Sequence, residues 1–304
     1  MDLSTKICKV KFSNPCILAS GILGMTASSL INVVNHGASG VVTKSVSLKS
    51  RKGHPSPTIL SLPEAVINAV GLSNAGLNEF GKEIDDFKKR CQNPLIVSIF
   101  APTVREFGEM ARKVSIFKPD FIEINISCPN VENEFGLAFG TNPKSAAQVT
   151  KEVKKNTSLP VIVKLTPNVS NIVAIAQAVE KAGADAIAAI NTVGPGMIID
   201  LETKKPILSN KMGGISGPAI KSIAVRCVYQ IYQAVKIPII GVGGLSRGED
   251  VIEIMMAGAQ AVEIGSAVYH HGPDVFKKIN QEIRGWLKKH HAQKIKEIIG
   301  QAHV

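Results

Sequence analysis

The sequence predicts a (β/α)8 TIM barrel on three observations. Two interleaved patterns repeat along the chain, eight short apolar runs alternate with helical periodicity, and those runs are apolar on both faces. The first pattern occurs as HGASGVVTKS (36–45), AGADAIAAIN (182–191) and AGAQAVEIGS (257–266). In each, a helix ends on Ala or His, Gly closes it, and a small-residue turn enters an apolar strand. The second occurs as NPLIVSIF (93–100), LPVIVKLT (159–166) and IPIIGVGG (237–244). Here proline precedes a β-branched run, where a missing N–H costs little. NPCILASG (14–21) and KPDFIEINIS (118–127) complete the set. Strands apolar on both faces suit a parallel sheet covered by helices. Eight strand–helix alternations favour closure over a doubly wound sheet.

In chain order the expected strands are 16–20, 40–44, 95–99, 121–126, 161–165, 186–191, 238–242 and 261–265. Helical periodicity fills the gaps, as in REFGEMARKVSIF, NIVAIAQAVEKAG, AIKSIAVRCVYQIYQAV and GEDVIEIMMAG. The connections 45–75 after strand two and 193–216 after strand six exceed plain βα loops. A third insertion, PNVENEFGLAFG, follows strand four, and its glycines Gly136 and Gly140 would let it open and close. Insertions at the C-terminal ends of barrel strands usually build the site. No linker or low-complexity segment divides the chain, so residues 1–304 are expected to form a single barrel domain.

Composition narrows the function classes. The chain has 304 residues, 45% hydrophobic and 19% charged, which is ordinary globular usage. Its formal charge is +11, concentrated in part near LKKHH and KIKE, yet no nucleic-acid recognition motif occurs and aromatics are only 5%. A solvated basic surface is the better reading, and no nucleic-acid partner is expected. Five cysteines (Cys8, Cys16, Cys91, Cys128, Cys227) show no CxxC and no zinc spacing, so no metal site is expected. MDLSTKICKVKF has no signal-peptide run and no stretch approaches a membrane span, so the expectation is a cytoplasmic chain with free thiols.

In a barrel the chemistry lies at the C-terminal ends of the strands. Those ends carry Ser20-Gly21, Lys44-Ser45, Ser98, Asn125, Cys128, Lys164, Asn191-Thr192, Gly243-Gly244 and Gly265-Ser266. GVGGLSRGED opens a helix at Arg247 or Gly248, and EIGSAV turns into a second helical segment. Glycine loops feeding helix N-termini after strands seven and eight suit a phosphate better than simple turns. Lys44 and Lys164 end apolar runs, where an ammonium needs an anionic partner. Three readings stay open for them: structural ion pairs, a Schiff-base lysine at Lys164, or cations facing an electron-rich cofactor and an anionic substrate. Asn68, Asn74, Asn125, Asn130 and Asn191, with Thr192, suit a flat heterocycle with amide edges. Packing explains the other cysteines, whereas Cys128 stays open between a packed hydrophobe, a metal ligand, a redox thiol, a nucleophile and a proton-transfer group.

The motifs ASG, TKS, NAVGL, NISCPN followed by FGTNP, VKLTPN, INTV, GGISGPAIK, IPIIGVGG and AGAQAVEIGSA occur in order over residues 3 to 280. With them the sequence resembles the dihydroorotate dehydrogenase family, in the class with a catalytic cysteine. The resemblance implies one FMN per chain and oxidation of (S)-dihydroorotate to orotate in de novo pyrimidine biosynthesis. It implies Cys128 as base for the C5 proton, with the C6 hydride going to flavin N5. It places Lys44, Asn68, Gly71, Leu72, Asn125, Asn130, Asn191 and Thr192 on the substrate. On FMN it places Ser20, Gly21, Lys44, Ser45, Ser98, Asn125, Lys164, Ile190, Gly217, Gly243, Gly244, Gly265 and Ser266.

NISCPNVENEFGLAFGTNP, GMIIDLETKKPIL and SGPAIKSIAVRCVYQIYQAV are more similar to the NAD-linked type than to the fumarate-using type. That type implies a separate electron-transfer subunit with FAD and a 2Fe-2S cluster, and a homodimer of this chain within a heterotetramer. Neither a dinucleotide GxGxxG after a strand nor a cysteine cluster occurs in this chain. Ser98 stands where many relatives carry asparagine, NTVGPGMIID carries one extra residue near Gly194–Gly196, and IFAP is bulkier than expected. Rival readings are a fumarate-dependent enzyme, a dihydropyrimidine dehydrogenase-like flavoenzyme, and a flavin-free barrel lyase using Lys164.

Overall fold

The computed structural model describes residues 1–126 and 139–303. Eight strands close into a barrel: β1 (Cys16–Leu18), β2 (Gly40–Val42), β3 (Leu95–Ile99), β4 (Phe121–Asn125), β5 (Val161–Leu165), β6 (Ala186–Ala189), β7 (Ile239–Val242) and β8 (Ala261–Ile264). Each pairs in parallel with its chain neighbours, and β8 closes on β1. All eight expected strands are present, but several stop short. β1 ends at Leu18 rather than Ser20, β2 at Val42 rather than Lys44, and β6 at Ala189 rather than Asn191. The backbone still bonds across the mouth beyond these ends, Ala19 N–H to Ile264 O (3.0 Å) and Asn191 N–H to Leu165 O (2.8 Å). The chain then turns, with Gly21 at φ +94°, so the regular ladder ends where the polar side chains begin.

Helices surround the barrel: α1 (Ala27–Asn35), α2 (Leu77–Arg90), α3 (Val104–Val114), α4 (Pro143–Lys155), α5 (Ile172–Lys181), α6 (Lys221–Tyr232), α7 (Gly248–Met256), α8 (Ser266–His271) and α9 (Val275–Lys289). Thr26, Thr103, Asn142 and Asn171 each accept a first-turn N–H and set where α1, α3, α4 and α5 begin. In α3 the buried Phe107, Met110, Ala111 and Val114 recur at helical spacing and face the strands.

The lower barrel is apolar, with Ile17, Val42, Ile96, Phe121, Ile162, Ala188 and Ile240 packed together. Its floor is an antiparallel hairpin of Thr5–Ile7 and Val10–Phe12, a segment to which the sequence reading assigned no element. Phe12 stacks on Phe121 with ring centroids 6.3 Å apart. A Cβ on Gly40 would lie 2.7 Å from the Phe12 ring, so β2 requires glycine there. Gly40→Ala is expected to destabilise the fold by about 1–3 kcal/mol through overpacking. Urea unfolding reads this directly, and an unchanged midpoint would contradict the tight fit.

The upper end is roofed by the two long connections. Ile59–Ser61 and Val66–Asn68 from the first join Val193–Gly196 and Gly213–Ser216 from the second in one four-stranded antiparallel sheet. Ile67, Ala69 and Leu208 anchor it, with Leu60, Leu62, Ile198 and Ile215 packed against them. The insertions expected after strands two and six thus form a single structure. The insertion after strand four, with Cys128, Asn130 and Gly136, falls largely in 127–138, outside the described residues. Gly140, expected as a hinge, is instead anchored. Its N–H donates to Ile126 O at 2.8 Å, and a Cβ there would meet the same carbonyl at 2.9 Å.

Candidate active site

A cavity of about 230 Å³ opens between the strand ends and the roof sheet. The barrel brings to its wall most of the residues singled out from sequence: Ser20, Gly21, Lys44, Ser45, Asn68, Gly71, Leu72, Asn125, Lys164, Ile190, Asn191, Thr192, Gly243, Gly244, Gly265 and Ser266. Ser98 and Gly217 are not on that wall. Ser98 is fully buried beneath Ser45, hydroxyl to hydroxyl at 2.9 Å. Ser45 also accepts from the Asn125 amide at 2.9 Å, so Ser98 supports a wall residue from behind. Gly217, at φ +98°, sits behind Gly244, whose Cβ would lie 2.8 Å from the Gly217 carbonyl oxygen.

The amides divide by task. Asn68 comes from the roof and Asn125 and Asn191 from the barrel, all on the cavity. The Asn191 side-chain oxygen accepts from Thr192 N–H at 2.9 Å, which orients both residues. Asn74 is no rim residue. Its oxygen accepts from Gly76 N–H (2.9 Å) and its amide donates to Leu72 O (2.9 Å) and Ser47 Oγ (3.0 Å), so it builds the turn that presents Gly71 and Leu72. That turn needs left-handed backbone at both, φ +72° and +57°. Arg51 Nε fixes it by donating to Gly71 O at 2.7 Å.

The two lysines differ. Lys44 is partly buried, and its ammonium donates to Ser73 Oγ at 3.4 Å. Among the described residues no carboxylate pairs with it, and burial pulls its pKa below the ordinary lysine value. A cation in this state is a standing site for an anion. Lys164 is nearly fully buried, with its Nζ 2.6 Å from Glu263 Oε2 and 3.7 Å from Glu123 Oε2. Burial works against its charge, but the two carboxylates outweigh this and hold its pKa above the ordinary value. A Schiff-base lysine needs the opposite, so the structure counts against the lyase reading. Glu123 and Glu263 escaped the sequence reading. The available signal was an acid at an interior position of an apolar strand, in FIEIN and AVEIG.

The loops after β7 and β8 bring Gly243 (φ +125°), Gly244 (φ +74°) and Gly265 to the wall, exposing backbone to the cavity. The carboxylate of Asp250 accepts from Ser246 N–H and Arg247 N–H, both at 2.9 Å, and starts α7 just beyond. Among the described residues no cluster of His, Cys, Asp and Glu is placed to hold a metal ion, and no helix is long and apolar enough to cross a membrane.

A closed (β/α)8 barrel with a roofed, cation-bearing cavity at the C-terminal face has the architecture of a barrel enzyme. The Dihydroorotate dehydrogenase family model matches residues 2–287. The chain is 48% identical to the protein named dihydroorotate dehydrogenase B (NAD(+)), catalytic subunit, of Methanocaldococcus jannaschii, over 99% of this chain and 98% of the relative. It is 46% identical to the protein of that name from Pyrococcus abyssi, over 99% of each. A crystal structure of DHODH with ferulenol from Eimeria tenella superimposes with a TM-score of 0.86 at 23% identity, covering 99% of this chain and 89% of that one, and supports the fold. The chain belongs to the dihydroorotate dehydrogenase family.

Proposed function

We propose that this chain is the catalytic subunit of an NAD-linked dihydroorotate dehydrogenase, which oxidises (S)-dihydroorotate to orotate in pyrimidine biosynthesis. The observation that carries the reading is Lys44, an ammonium without a carboxylate partner among the described residues, on a cavity walled by amides. The substrate is a flat ring with amide edges and one carboxylate, the chemistry such a wall recognises.

The residues present fit FMN. Ala19, Ile190 and Val242 give the cavity apolar lining, and Asn125 and Lys164 give it polar lining. Gly243, Gly244, Gly265 and Ser266 offer backbone without bulk where a phosphate would sit. Ser20, Gly21, Lys44 and Ser45 complete the set expected to hold it, with Ser98 acting through Ser45 and Gly217 through Gly244. When bound, FMN supplies the hydride acceptor.

The protein's own residues have three tasks. Lys44 pairs with the substrate carboxylate. Asn68, Asn125, Asn191 and Thr192 hold the ring amides, with Gly71 and Leu72 closing over it. Donors aimed at the ring carbonyl beside C5 stabilise the negative charge that grows there as the proton leaves. Cys128 and Asn130 lie outside the described residues. Their roles rest on the motif NISCPN, with the Cys128 Sγ taking the C5 proton and Asn130 on the substrate.

Electrons leave to NAD through a partner subunit with FAD and a 2Fe-2S cluster, with this chain as a homodimer within a heterotetramer. The relatives' shared name, an NAD(+) enzyme's catalytic subunit, supports the NAD linkage and a partner subunit; the FAD, the 2Fe-2S cluster and the heterotetramer follow from the family resemblance. Affinity purification of the native protein tests it. The expected result is a co-purifying subunit that brings FAD, iron and NAD reduction. Fumarate turnover by the isolated chain, with no such subunit, would reverse the choice of acceptor.

A further inference from the structure

Beneath the cavity the barrel holds two carboxylates for one ammonium. Glu123 on β4, Glu263 on β8 and Lys164 on β5 are 0, 1 and 5% exposed. Lys164 and Glu263 reach the cavity wall, and Glu123 lies below them. Lys164 satisfies one oxygen, Glu263 Oε2 at 2.6 Å. The remaining three, both of Glu123 and Oε1 of Glu263, are buried without a hydrogen-bond donor among the described residues. Fully ionised, the cluster would carry one uncompensated negative charge among buried side chains, which proteins avoid by retaining a proton. One proton placed on Glu123 supplies the missing donor and lets the two acids bond to each other.

We infer that Glu123 and Glu263 share one proton beneath Lys164, and that this proton balances the charge of the group held in the cavity above. The inference rests on the flavin reading of that cavity. An arriving hydride brings two electrons and one proton, so the floor then faces one additional negative charge. Lys164 is already neutralised by Glu263. The added charge therefore makes the Glu123–Glu263 pair bind its proton more tightly, and solvent supplies that proton wherever the pair had lost it. Glu123 and Glu263 are positioning residues, since they act on the cavity through Lys164.

The surroundings leave few other groups to do this. Burial pushes the Glu123 carboxyl up to about 8; the Lys164 ammonium opposes this, the Glu263 carboxylate adds to it, and the Ser98 hydroxyl on β3 opposes it weakly. From the other strands the interior is apolar: Ile17 on β1, Val42 on β2, Ala188 on β6 and Val242 on β7. Lys44 and Asn125 line the same cavity above.

Two measurements test the inference. Infrared spectroscopy of ligand-free protein should show the band of a buried protonated carboxyl at pH 7 that fades above about pH 8. Glu123→Gln should lack that band. Glu263→Gln should lack it too, because Glu123 then pairs one-to-one with Lys164. Absence of the band in wild type at pH 7, or its persistence in Glu123→Gln, overturns the shared proton. In flavin-loaded protein, the reduced-to-oxidised ratio at a fixed potential is then followed from pH 6 to 10. Below pH 8 wild type and Glu123→Gln should agree, because the amide mimics the protonated acid. Above it the wild-type ratio should fall by a further factor of about ten per pH unit, the signature of one extra proton taken up on reduction. Parallel profiles over the whole range overturn the charge-balancing role. A chain that binds no flavin at all overturns the reading of the cavity and this coupling with it, while the infrared band still decides the shared proton.

Discussion

Cys128→Ala is expected to bind flavin as the unaltered protein does, and to lose most of its reduction by dihydroorotate. Removing a general base typically costs a factor of roughly 10²–10⁴, and nothing else in the motif offers a replacement for the thiolate. Rapid mixing under anaerobic conditions isolates this step from electron transfer to a partner. Cys128→Ser refines the test. A hydroxyl is a far poorer base than a thiol, whose ordinary pKa is about 8.5, so the serine variant should recover activity mainly at high pH. Reduction rates unchanged in Cys128→Ala would refute the assignment.

Lys44→Ala is expected to cut kcat/KM for dihydroorotate severely. Truncating one partner of a buried charge pair costs about 2–5 kcal/mol, a loss of about thirtyfold to several thousandfold. The loss should concentrate in substrate affinity, because the carboxylate is contacted in ground and transition states alike. Lys44→Arg should restore part of it. The unaltered protein should bind orotate more weakly as pH rises through the Lys44 pKa, which burial has moved below the ordinary lysine value. A substrate carboxylate pairing with Lys44 would raise that pKa again on binding. Equal affinity for orotate in Lys44→Ala and the parent protein would remove Lys44 from the substrate site.

The barrel was legible because its evidence is local and repeated. A proline before NPLIVSIF, LPVIVKLT or IPIIGVGG marks a strand start, and glycine after a helix marks its end. Strand ends were less legible. Lys44, Ser20 and Asn191 sit beyond the ladder because their backbones turn toward the cavity, and the sequence shows only where apolar runs stop. The roof was half visible. Two long connections were recognisable, but their pairing into one sheet is a contact between residues about 150 positions apart, as in Asn68 with Gly214, and no local pattern encodes it.

The site followed the same division. Lys44, Asn125 and Asn191 stand out as polar residues closing apolar runs, and the barrel rule alone collects them on one face, which Asn68 reaches from the roof sheet. Asn74 obeyed the same sequence logic, yet it spends its amide on its own turn. Ser98 lies on an interior-facing position one layer too deep, where Ser45 covers it. Glu123 and Glu263 were overlooked because each sits singly in an apolar run. Their meaning emerges only when β4, β5 and β8 bring them to one lysine.

The proposed reaction of this cavity is oxidation of dihydroorotate at a bound flavin. Its most direct test mixes the purified, FMN-loaded chain with (S)-dihydroorotate under anaerobic conditions, following the flavin absorbance and quantifying orotate. The expected result is bleaching of the flavin with one orotate formed per flavin reduced. A chain that retains FMN yet neither bleaches nor yields orotate would contradict it.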